Sequence, residues 1–186
     1  MARTRLKTVL IVSLTALVTA CSPARYKTYY IPTESMLPTL EVNDRIVSDQ
    51  AAYRTTAPNR GDIVIFRPPA QLTKMMQGIM TIDQDTVFVK RIVGLPGERL
   101  EVKQGKVFIN NHPLSEPYLE AAPDYTWGPI TIPANAFVVF GDNRNNAFDS
   151  HFWGVVPRDH LLGKVVWRYW PPERFGELPS GRPDRD

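Results

Sequence analysis

The sequence predicts a mostly β protein built of antiparallel sheets, and three observations predict it. Proline supplies 17 of the 186 residues, well above the usual ~5%; at that density it breaks long helices and favours short strands joined by fixed turns. β-Branched and aromatic runs bounded by glycine and proline recur along the chain. No window sustains a long helical period, and no repeat of about 20 to 50 residues is present. At 43% hydrophobic and 22% charged, the composition is that of an ordinary globular protein, long enough to bury a core without disulfides or metals.

The first element is apolar. Thr8 to Ala20 follows Arg3, Arg5 and Lys7, and no charge occurs from Thr8 to Ala24. Such a segment makes about 26 Å of helix, the lower limit for crossing a hydrocarbon core. Two readings of residues 1–24 stand: an uncleaved anchor with its positive end in the cytoplasm, or a secretory signal. Val18-Thr19-Ala20-Cys21 resembles the lipobox of bacterial lipoproteins, in which the cysteine is lipidated after cleavage before it. Either reading puts the following domain on a membrane and outside the cytoplasm. Cys21 is the single cysteine, so no internal disulfide forms. The three N-terminal cations supply the whole net charge of +3. The remainder is balanced, which excludes nucleic acid as a partner, because phosphate neutralisation needs a basic surface.

Residues 25–170 carry the strand signals. These are Arg45 to Val47, Asp62 to Phe66, Thr86 to Val93, Ala136 to Phe140 and Lys164 to Tyr169. Glu101 to Lys103, Gln104-Gly105 and Lys106 to Ile109 read as a hairpin with glycine in the turn, inside an expected small β subdomain at about 97–135. Leu72 to Ile82 holds Met75, Met76, Ile79 and Met80 at the spacing of one helix face. It reads as a short helix packed on the sheet, or as an apolar loop that meets lipid or an extended substrate. Residues 171–186, rich in proline and charge, are expected to be a loose tail.

Three segments concentrate chemistry. In Pro32-Thr33-Glu34-Ser35-Met36-Leu37-Pro38-Thr39 the two prolines fix a loop that presents Ser35. A serine needs a base. His112, His151 and His160 are poorly placed, and Asp149-Ser150-His151 are sequence neighbours that seldom converge on one atom. Lysine is the remaining common base, provided burial lowers its pKa. Lys90 shares one face of its strand with Phe88 and Ile92; it is either a desolvated base or a solvated edge residue. The third segment, Gly141 to Gly154, places polar groups directly after a buried strand, which by itself fits a turn locked by an Asp142–Arg144 ion pair. No metal-binding or phosphate-binding motif occurs, and no cofactor is expected.

Together these segments resemble the bacterial type I signal peptidases. Four blocks match in order: Ser35 to Thr39, Gly61 to Phe66, Val89 to Glu98 and Gly141 to Gly154. The resemblance covers about residues 29 to 170. It implies a signal-peptidase-like fold and a membrane-bound serine endopeptidase that removes signal peptides from secretory preproteins. Ser35 looks like the nucleophile and Lys90 like the general base. The Ser35 backbone N–H and the Thr33 hydroxyl look like the oxyanion hole. Asp142 and Arg144 look like the buried ion pair beneath the site, and Asp149 like a supporting carboxylate. The implied partners are signal peptides, held by strand addition, and membrane lipid, with the domain on the outer side of the plasma membrane. Alanine stands at 147 where the family usually carries a serine that helps hold the lysine, and Glu98 stands where it often has aspartate. The first departure motivates an alternative, a weakly active or inactive paralogue acting as a peptide-binding lipoprotein.

Overall fold

The computed structural model describes residues 24–79, 81–83 and 85–179. The apolar N-terminal segment and Cys21 lie outside the described residues. Strands β1 (Tyr26–Tyr30) and β2 (Arg45–Asp49) pair with Tyr26 opposite Asp49. Helix α1 (Ala52–Thr55) leads to β3 (Ile63–Phe66), and helix α2 (Ala70–Met76) separates it from β4 (Phe88–Gly94). Then come β5 (Arg99–Lys103), β6 (Lys106–Ile109), β7 (His112–Pro113) and β8 (Trp127–Thr131). Strand β9 (Ala136–Phe140), helix α3 (Ser150–Trp153), β10 (Val156–Pro157), β11 (Leu161–Trp170) and β12 (Gly176–Glu177) complete the order.

Two antiparallel sheets result. The larger runs β1-β2-β11-β3-β4-β9-β10, with β12 alongside β11; the smaller runs β7-β6-β5-β8. The mostly β, antiparallel fold is therefore the one the sequence predicts. The smaller sheet is inserted between β4 and β9, two central strands of the larger one. At the β5–β6 turn, Gln104 and Gly105 both have positive φ, 51° and 72°, the pair of values that matches a tight turn to the twist of its strands.

Alternation along β3 explains how the larger sheet is buried on both faces. Val64 and Phe66 enter a core with Leu72, Ile92, Phe137, Val139 and Trp153. Ile63 and Ile65 point the other way, into a core with Ile31, Met36, Leu40, Ile46 and Val165. A third core, with Val93, Leu100, Val102, Val107, Ile132, Val138 and Phe140, joins the two sheets.

Two expectations need correction. The helix expected within Leu72 to Ile82 begins earlier, after Pro69, and ends at Met76. Leu72 is buried and Met76 packs beside it on the first core, one turn apart, while Met75 and Ile79 are exposed; the segment thus combines the packed helix with an exposed apolar end. The C-terminal tail is packed rather than loose over 171–179. Pro172–Arg174 forms a 3-10 turn, β12 pairs with Trp167 and Arg168, and Leu178 packs against the second core. Proline presets that turn, and one apolar side chain anchors what a composition rich in proline and charge hides.

Candidate active site

Ser35 sits in the loop between β1 and β2. Two backbone bonds close its base, from Ile31 N–H to the Asp44 carbonyl and from Asn43 N–H to the Ile31 carbonyl, both 2.9 Å. Met36 and Leu40, fully buried in the second core, pull the loop onto the sheet and leave Ser35 half-buried at its surface. Asn143 holds the front: its N–H and its side-chain amide donate to the carbonyls of Ser35 and Glu34, each at 3.2 Å. The exposed Thr33 hydroxyl lies 3.4 Å from Ser35 Oγ.

Lys90 comes from β4, opposite Val64. It is 4% exposed, and its Nζ lies 2.8 Å from Ser35 Oγ and 2.9 Å from the Val89 carbonyl. Among the described residues no carboxylate stands within ion-pair distance of it. Burial lowers its pKa from 10.5 to about 8, against a weaker opposing pull from Asp149 and Asp142. Of the two readings the strand pattern leaves open, the desolvated lysine is the one present, in place of a solvated edge residue. A hydroxyl touching an amine that is substantially neutral near pH 8 can be deprotonated on attack at a carbonyl.

The surrounding charges are paired differently from the sequence expectation. Asp142 does not pair with Arg144. Its two oxygens take Arg91 Nε at 2.8 Å and Nη2 at 2.6 Å, and Oδ2 also accepts from the Thr39 hydroxyl. Arg144 instead takes Glu116 in a fork, at 2.9 and 2.6 Å, from the long connection between β7 and β8. The 3-10 turn Arg144–Asn146 turns the arginine away from its near neighbour, while Asp142, at the end of β9, faces the adjacent strand β4. Asp149, fully buried, caps α3: its carboxylate accepts from His151 N–H and Nδ1 and from the Gly141 N–H. Ser150 Oγ accepts from Val139 N–H at 3.0 Å, so residues 149–151 form no catalytic triad.

Gly141 is required by close approach. A Cβ there would lie 2.3 Å from the Ser35 carbonyl oxygen and 2.4 Å from the Ala147 Cβ. The end of β9 therefore touches the loop that carries Ser35 directly. A family model for signal peptidase, peptidase S26, matches residues 3–170. The chain belongs to the peptidase S26 family. A signal peptidase I of Leptolyngbya laminosa is 50% identical over 149 residues, 80% of this chain and 71% of that protein. A probable signal peptidase I-2 of a Synechocystis strain is 45% identical over 149 residues, 80% of this chain and 65% of that protein. The signal peptidase IB of a Staphylococcus aureus strain is 29% identical over 165 residues, 79% of each chain.

In this S26 member the sequence reading passed over Arg91, Asn143, Glu116 and Tyr118. Arg91 had a signal: a second cation next to Lys90 in an apolar strand needs a buried carboxylate, and Asp142 follows a buried strand. Glu116 and Tyr118 had none, because they lie in an irregular segment of the inserted sheet and meet Arg144 only in three dimensions. Ala147, 5% exposed, packs its methyl against Gly141.

Proposed function

We propose that this chain is a membrane-bound serine endopeptidase that cleaves signal peptides from exported preproteins, with Ser35 as nucleophile and Lys90 as general base. The observation that carries the reading is the 2.8 Å contact between Lys90 Nζ and Ser35 Oγ, made by a buried lysine whose pKa is pulled down to about 8. Neutral Lys90 takes the hydroxyl proton as Ser35 attacks the scissile carbonyl. The same amine then protonates the leaving amino group, and water, activated by Lys90, hydrolyses the acyl-enzyme. The backbone N–H of Ser35 and the Thr33 hydroxyl supply the oxyanion hole, each donor worth on the order of 10²–10³ in rate. Asp142, paired with Arg91, shapes the floor, and Asp149 holds Gly141 against the loop.

The membrane part of the reading rests on the uncharged N-terminal segment and on exposed aromatics where the domain begins and β11 ends. Tyr26, Trp167 and Trp170 are 54%, 37% and 49% exposed, and tyrosine and tryptophan favour the bilayer interface. Among the described residues no helix is long and apolar enough to cross a membrane. The domain is expected to lie on the outer side of the plasma membrane.

Cleavage of a purified preprotein by detergent-extracted chain tests the reading. Wild type should cut at the signal junction, and Ser35→Ala and Lys90→Ala should not. Equal cutting by either variant overturns the dyad. An inert wild type that binds signal peptide would establish instead the peptide-binding paralogue that Ala147 motivates.

A further inference from the structure

Residues 171–179 lie beyond the stretch that the family model matches, which ends at 170, yet they hold the far side of the loop that carries Ser35. The turn Pro172–Arg174 follows β11 and aims the Arg174 guanidinium at that loop. Nη1 lies 2.8 Å from Glu41 Oε2 and 3.1 Å from Asp44 Oδ1. Nη2 donates to the carbonyls of Pro38 and Thr39, each at 3.4 Å. Arg168 of β11 donates to the same Thr39 carbonyl at 2.9 Å and, through Nε, to the Arg174 carbonyl. The two arginines and the turn therefore form one clamp. Further on, Leu178 packs against the second core, to which Met36 and Leu40 of the loop also belong. The Pro179 carbonyl accepts from Arg91 Nη1 at 3.2 Å, the guanidinium that also holds Asp142.

The loop needs such support. It contains no regular helix or strand, and ordering each backbone residue costs about 1–2 kcal/mol. A misplacement of about 1 Å at a reacting group costs on the order of 10² in rate. Besides its closed base and the buried Met36 and Leu40, the loop is held at Asn143 in front, at the Thr39 hydroxyl by the Asp142–Arg91 pair, and at the carbonyls of Pro38 and Thr39 by the arginine clamp. The clamp draws on Arg174 beyond the family match, and the Asp142–Arg91 pair touches Pro179, also beyond it.

We infer that residues 171–179 are a strap that positions the nucleophile loop, and that Arg174 is its positioning residue. Arg174 touches no reacting atom; it acts through the backbone that follows Ser35. The inference rests on the reading of Ser35 as nucleophile.

The test uses the full chain in detergent as wild type, Arg174→Ala, Arg174→Lys and, as a control on the same turn, Glu173→Ala. Three quantities are measured: kcat and KM on a preprotein at pH 9, where Lys90 is mostly neutral, amide exchange, and Tm. Leu37 and Leu40 report on the loop, because their N–H groups bond to the Glu34 and Met36 carbonyls inside it; the amides of β3 report on the sheet. Arg174→Ala should lower kcat about tenfold with KM within about twofold, and speed exchange at Leu37 and Leu40 about tenfold while β3 stays protected. Arg174→Lys, which keeps the charge and one donor, should recover part of both effects, and Glu173→Ala should match wild type. The strap is refuted if Arg174→Ala leaves kcat and loop exchange within about twofold of wild type, or if β3 loosens as much as the loop and Tm falls with it. If Ser35→Ala cuts as well as wild type, the catalytic reading fails, and the exchange arm still decides whether the strap holds the loop.

Discussion

Lys90 and Arg91 are neighbours in β4, and the protein buries both, at 4% and 0% exposure. It treats them in opposite ways. Among the described residues Lys90 meets only neutral acceptors, the Ser35 hydroxyl and the Val89 carbonyl. Arg91 meets both oxygens of Asp142, the Gly61 carbonyl at 2.8 Å and the face of Tyr118 at 4.0 Å. Burying a cation is expensive in either case. Arg91 offsets the cost with a counterion, both oxygens of Asp142. Among the described residues Lys90 has no counterion in contact, and burial lowers its pKa to about 8. One cation is held in an ion pair and the other is left without one, as the proposed role of base requires, and what separates them is where a single carboxylate points.

The strongest way to break this contrast is Lys90→Met, which keeps the stem and removes the amine. Cleavage should fall by on the order of 10⁴ or more, while the fold should hold or gain. The sign follows from linkage. The folded pKa of about 8 lies below the ordinary 10.5, so between those values the unfolded chain binds more protons. Lys90 therefore costs nothing above pH 10.5, and stability is lost as pH falls toward 8. At pH 7 the penalty is roughly 3 kcal/mol, which methionine does not carry. A lower Tm for Lys90→Met at pH 7, measured by calorimetry, would mean that Lys90 is a structural cation like its neighbour.

Asp142→Ala attacks the other side. It leaves Arg91 charged, fully buried and without its counterion, for which the expected cost is about 3–5 kcal/mol. At ~2–4 °C per kcal/mol for a chain of this size, Tm should drop by roughly 10 °C. An unchanged Tm would show that the Gly61 carbonyl and the Tyr118 ring suffice for Arg91. Gly141→Ala should act on rate instead, because its new Cβ would have to displace the Ser35 carbonyl: kcat should fall by on the order of 10² with a much smaller change in Tm.

The same contrast predicts the pH profile. Only the neutral amine is a base, so kcat/KM should rise about tenfold per pH unit through the acid range and level off above about 8. A rate flat between pH 6 and 10 would remove Lys90 from the role of base.

How far the sequence showed this site depends on whether each partner leaves a local mark. Ser35 between two prolines leaves a local mark of turn chemistry; for Lys90, strand alternation gives the face shared with Phe88 and Ile92 but not whether that face is buried, and it is the family resemblance that pairs the two. The sheet assignments follow from the same local rules. The pairing of Asp142 was misread because Arg144 is its nearest cation along the chain, whereas Arg91 is nearest across strands β4 and β9, a register that sequence does not print. The strap at 171–179 was missed on composition: its prolines and charges look solvated until Leu178 and Arg174 find their partners.

The smallest effect is also the one that most sharpens the contrast. Ala147→Ser restores the hydroxyl usual at that position in the family, next to the contact of Gly141 with the Ser35 loop. If that hydroxyl accepts from the Lys90 ammonium, it stabilises the charged form and raises the pKa of Lys90, moving the acid limb of the kcat/KM profile to higher pH. It also fixes the amine's direction, so the plateau should rise. A hydrogen bond to a charged group is worth about 1.5–3 kcal/mol, which caps the gain near a hundredfold and makes several-fold the expected result, given that the Val89 carbonyl already holds Nζ at 2.9 Å. A higher plateau with an unmoved limb would place the hydroxyl on the loop and not on the lysine. An unchanged plateau and limb would mean that Val89 fully replaces the missing group, leaving Lys90 equally well held without a side-chain partner beyond Ser35.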